Sequence, residues 1–99
     1  MADDDLGRLA PPRFKPDEAL QQLKRSLRDL KLAERGIGFE LRGRRVLELE
    51  IDGATIRARV ARKPALTPEW DRQLVQSSTD QRKLLDEIKK RLARWEQEE

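Results

Sequence analysis

Six basic side chains, Arg42, Arg44, Arg45, Arg59, Arg62 and Lys63, bracket a predicted hairpin in a chain that lacks the residue types of common catalysis. Guanidinium groups fork bidentately onto oxyanions, so clustered arginines point to phosphate recognition. The chain has no histidine, cysteine or tyrosine. Acid-base and nucleophilic catalysis need a group titrating near neutral pH or a nucleophile beside a base, and Ser26, Ser77 and Ser78 have no imidazole to take their proton. Carboxylates group at Asp3 to Asp5 and along Glu48, Glu50 and Asp52. Oxygen ligands suit magnesium, but a solvated tail and a salt-bridged strand face account for both groupings, so no metal or other cofactor is expected. Gly36-Ile37-Gly38 follows a helix and precedes a strand, the reverse of a nucleotide-binding glycine loop. The expected class is a small non-enzymatic binding protein with no small-molecule substrate.

Composition supports a binding role only weakly. Charged residues make up 41% of the 99 positions, but 22 basic and 19 acidic side chains leave a net charge of +3. Arginine outnumbers lysine 15 to 7, a bias that general Arg, Ala and Leu enrichment explains as well as phosphate binding does. With 36% apolar and 4% aromatic residues, one small core is the limit. The absence of cysteine excludes disulfides and thiolate chemistry. Neither an apolar run of membrane-spanning length nor a signal-like start appears, since Asp3 to Asp5 occupy the first residues; a cytoplasmic protein is expected.

These charges must be positioned by secondary structure. Residues 1–15 show no apolar period and are expected to form an unstructured tail, with residues 16–97 as a single α+β domain. Pro16, Asp17 and Glu18 suit a helix start, and Leu20, Leu23, Leu27 and Leu30 form one stripe. Gly36 and Gly38 are expected to end that helix through positive φ. Strands follow at Ile37, Phe39 and Leu41, at Leu47, Leu49 and Ile51, and at Ile56, Ala58 and Val60. A three-residue turn, Gly43-Arg44-Arg45, would set Leu41 opposite Leu47, Phe39 opposite Leu49 and Ile37 opposite Ile51. A type I′ turn at Asp52-Gly53 would set Leu49 opposite Ile56 and Glu48 opposite Arg57. Thr67-Pro68-Glu69 predicts a short helix near 68–76, with Trp70 and Leu74 one turn apart. Ser78 with Gln81 predicts a capping box for a long helix near 79–96, although one continuous helix fits the same stripe. The predicted fold is a three-stranded antiparallel β-meander with helices packed on one face, in the order α-β-β-β-α-α.

In that meander the turn at Gly43 and the end of the third strand share one rim. Arg42, Arg44, Arg45, Arg62 and Lys63 converge there, with Arg59 nearby on the open face. A first helix antiparallel to the first strand would add Arg13 and Lys15, while Asp17, Glu18, Glu69 and Asp71 would offset part of the field. The expected partner is RNA or DNA, RNA first, with five or six phosphate contacts and a salt slope of about −4 to −5. Edge protection by charge is the competing structural explanation. The element order is similar to that of the double-stranded RNA-binding domain, with Arg42-Gly43-Arg44-Arg45 at its first hairpin turn. Gln81-Arg82-Lys83 only thinly matches its basic helix start, and segment 64–77 has no counterpart. A different use is a protein interface or homodimer through Leu84, Leu85, Ile88, Leu92 and Trp95. Trp70 and Trp95 are candidates for base stacking, or else anchors of the core.

Overall fold

The computed structural model describes residues 14–97. Of the expected tail, residues 1–13 lie outside the described residues, whereas Phe14 packs against the core. The elements are α1 (Pro16–Asp29), β1 (Ala33–Arg35), β2 (Gly38–Leu41), β3 (Arg44–Asp52), β4 (Thr55–Ala61), β5 (Trp70–Val75) and α2 (Ser78–Gln97). The α+β class and antiparallel sheet match the expectation. The sheet has five strands rather than three, in the order β1-β2-β3-β4-β5, and the order of elements is α-β-β-β-β-β-α. That difference also removes the similarity to the double-stranded RNA-binding domain in strand number.

β5 replaces the expected helix near 68–76. An isolated helix that short is marginal, whereas an extended chain pairs along the whole of β4, from Ile56 with Val75 to Ala61 with Trp70. Trp70, Arg72 and Leu74 therefore share one face of the sheet, and Asp71, Gln73 and Val75 the other.

β1 is the second addition, and it changes where α1 points. The helix stops at Asp29, before either glycine expected to end it. Lys31 at φ 68° takes the left-handed position, its N–H donating to the Arg28 carbonyl at 2.8 Å and the Leu32 N–H to Leu27 at 3.2 Å. These two bonds make a Schellman closure, with Leu27 and Leu32 buried beside it. Gly36 supplies positive φ in the β1–β2 turn instead, and Ile37 lies exposed in that turn rather than facing Ile51.

Both hairpin registers differ from expectation, the second by two residues and the first by three at its turn and by two beyond a bulge, which preserves the buried face. Arg42 and Gly43, both at positive φ, form a two-residue turn that sets Leu41 opposite Arg44. A bulge between Phe39 and Glu40 then pairs Phe39 with Leu47, letting the adjacent Val46 and Leu47 both be buried. Next, Gly53 alone has positive φ, so the second turn is not type I′; Asp52 pairs with Thr55, Leu49 with Ala58 and Glu48 with Arg59.

α1 and α2 lie side by side on one face of the sheet, α1 over β1, β3 and β4 and α2 against β5. Leu23 and Leu27 of α1 and Leu84 and Ile88 of α2 close the core over Phe39, Leu47, Ile56 and Val75. No charged or polar residue is buried among the described residues. α2 begins one residue earlier than expected: Ser77 Oγ accepts from the Asp80 N–H at 3.1 Å, and Asp80 accepts from the Gln76 N–H at 3.2 Å.

Candidate nucleic-acid interface

Strand direction brings the basic residues to a common rim, because β2 ends, β3 begins and β4 ends at the same edge of the sheet. Side-chain alternation then divides them between its two faces. Arg45 and Arg59 lie on the open face, where Glu48 Oε2 and Oε1 accept from them at 2.9 and 3.3 Å. Arg45 crosses Gly38 so closely that a Cβ there would sit 2.7 Å from its Nε, and it also donates to the Arg35 carbonyl at 3.4 Å. Arg42 and Arg44 border a cleft on the helix side. Lys63 is exposed in the β4–β5 connection.

Arg62 is held by carboxylates. It donates to Asp71 at 2.8 Å and to Glu69 at 3.1 Å, while Asp71 also accepts from Arg91 at 2.8 Å. Arg91 further binds Glu87 at 2.7 Å and the Ala61 carbonyl at 3.0 Å, so one chain of ion pairs joins α2 to the ends of β4 and β5. Hydrogen bonds from Arg62 and then Arg91 hold the Asp71 carboxyl below its ordinary range. A hydrogen bond from Arg91 does the same for Glu87. Arg62 therefore braces the sheet edge against the helix layer.

The acidic start of α1 does not face this rim. Leu30, after the end of α1, lines the helix-side cleft together with Leu41 and Trp95. The extra strand β1 reverses α1 relative to β2, so Lys15, Asp17 and Glu18 lie toward the opposite end, and Arg13 is outside the described residues. The carboxyl ends of both helices meet the rim instead, and their partial negative charge is complemented by Arg42 and Arg44.

Sequence reasoning did not reach the most informative basic contact. On the open face Arg59 and Arg72 are direct cross-strand partners, and Trp70, partly buried against the core, stands on the same face of β5 one alternation from Arg72. Arg72 makes no ion pair with any described residue and is exposed. Like charges directly opposite in an antiparallel pair destabilise it, and here the Glu48 carboxylate, which accepts from Arg59 at 3.3 Å, offsets part of that cost and leaves Arg72 as the unpaired member among the described residues. The period-two signal of Trp70, Arg72 and Leu74 was available, but the helix-start residues before it competed. Trp95, by contrast, is 6% exposed and belongs to the core.

Much of the apolar stripe of α2 is covered within the chain. Leu84, Ile88 and Trp95 are buried and Leu85 and Leu92 pack against the same core, because five strands give α2 a wider surface to cover than three would. Among the described residues no group of three or more His, Cys, Asp or Glu side chains is arranged to hold a metal ion, and no helix is long and apolar enough to cross a membrane. Compared with known proteins, the chain matches no family, no curated protein and no solved structure.

Proposed function

We propose that this chain is a non-enzymatic nucleic-acid-binding domain that takes single-stranded RNA, in preference to DNA, on the open face of its sheet. The observation that carries this proposal is the Arg59–Arg72 pair. A phosphate between the two guanidinium groups gives Arg72 the anion it lacks among the described residues and takes the place of Glu48 on Arg59, so one ligand oxyanion serves both. Trp70 on the same face offers a π-surface beside the phosphate path, and base-aromatic stacking tolerates any base. An exposed sheet face carrying aromatics is one of the recurring platforms for single-stranded RNA. Lys63 extends the path to the rim. Arg45 contributes by exchanging Glu48 for phosphate, whereas Arg62 keeps its bracing role between Asp71 and Glu69. Arg42 and Arg44 face the other layer and belong to a separate surface.

The test is fluorescence anisotropy of a labelled single-stranded RNA across a salt series. Three or four phosphate contacts predict a log-log slope of about −2 to −3 for a single strand, shallower than six contacts on a duplex would give. Arg59→Glu with Arg72→Glu is expected to abolish binding, and Arg42→Glu to leave it within about threefold. No binding at low salt, or affinity unchanged in the double variant, overturns the proposal.

A further inference from the structure

We infer that the cleft at the helix-side rim is a binding site for a small anion with an apolar body, such as an aliphatic carboxylate. Its volume is about 530 Å³, within the range of small-molecule sites. Leu30, Leu41, Leu92 and Trp95 line one side, and Pro64 to Leu66 of the β4–β5 connection form a further wall. Leu66 is 85% exposed at this wall, against 48% for Ile37, 46% for Leu74 and 37% for Ile51. An apolar ligand covering it removes the most exposed large apolar side chain of the described residues from water.

The charge at the mouth selects the head group. Among the described residues of its lining, the cations are Arg42 and Arg44 and the carboxylate is Glu96, with the carboxyl ends of both helices beside them. Arg44 is exposed and makes no ion pair with any described residue. A fork of five donors beside these apolar side chains suits a carboxylate better than a neutral or cationic head. This site lies on the helix side of the sheet, away from Arg59 and Arg72, so it stands or falls independently of RNA binding.

Trp95 lines the cleft and Trp70 does not, so the Trp70→Phe full-length chain carries a single fluorophore at the site. Sodium decanoate, decanol and decyltrimethylammonium are titrated below their micelle concentrations while Trp95 emission is followed. Decanoate is expected to give a saturable change, with affinity at least fivefold above the other two. Arg44→Glu is expected to remove that preference. Ala65→Trp, with both its fold and its decanoate binding read by backbone NMR shifts on isotope-labelled protein because it adds a second fluorophore, is expected to fill the cleft and abolish binding. Absence of saturable decanoate binding, equal or tighter binding of the ammonium, or an unaltered decanoate affinity in Ala65→Trp each overturns the site. So does a concentration-dependent dimer with Leu66 shielded at its interface, because the occupant is then a second copy of the chain.

Discussion

Individual residues here trade local comfort for position. Lys31 occupies the left-handed site of the α1 closure, where glycine is the residue without a Cβ penalty. Its strain is local, and the Leu27–Leu32 contact that accompanies the closure survives substitution. Lys31→Gly is expected to raise unfolding stability by about 0.5–1 kcal/mol, the left-handed penalty less the extra freedom of glycine in the unfolded chain, measured by urea denaturation. Arg45 and Arg62 show the opposite economy. Each lies among carboxylates within its own chain, so an arginine count by sequence overstates the charge presented to a partner. No spacing rule identifies which arginine is so held. Asp71 and Glu69 reach Arg62 only through the unforeseen pairing of β4 with β5, and Glu48 holds Arg45 from three residues along the same strand, past the bulge.

At the level of elements, β5 decides most. It turns the outer edge of β4 into an interior position and presents Arg72 to Arg59. Its two faces predict unlike costs. Val75 is fully buried opposite Ile56, so Val75→Ala is expected to cost about 2 kcal/mol, while Leu74→Thr on the open face changes stability by less than about 0.5 kcal/mol. Equal costs for the two substitutions in urea melts would contradict the strand assignment. α1 and the hairpin strands β2 to β4 were legible because apolar residues recur at spacings of three and four, then at two. The 68–76 segment was not, because Thr67-Pro68-Glu69 is a genuine helix-start pattern and the competing period-two signal has a single buried apolar residue, Val75. Pairing along β4 outweighed it.

For the molecule as a whole, several carboxylates are tied to cations in the folded state and not in the unfolded one. Glu34 is held low by hydrogen bonds from Lys24 and Arg28, Asp71 by Arg62 and Arg91, and Glu87 by Arg91. A carboxyl group whose folded pKa is depressed stabilises above its unfolded pKa and loses that contribution as pH falls through the folded value. Unfolding stability is therefore expected to hold from neutral pH down to about 5 and to fall below about pH 4, the ordinary carboxyl range. Asp71→Asn is expected to flatten that decline and to lower the neutral-pH midpoint, measured by thermal melts at fixed ionic strength. An acid limb of equal steepness in wild type and variant would show that this network does not couple to folding.

Patterning and turn chemistry, both local properties, determined that this chain has an apolar-faced antiparallel sheet, a leucine-striped helix before it and a capped amphipathic helix after it. They also determined that the arginines near Gly43 and those before Pro64 meet at one rim, since two reversals of direction suffice for that. Tertiary structure alone decided which face each arginine takes, which of them carboxylates hold, and that Arg72 stands against Arg59. Those outcomes depend on the pairing of strands distant in sequence and on the direction in which β1 sends α1, and neither is encoded in the spacing of neighbouring residues.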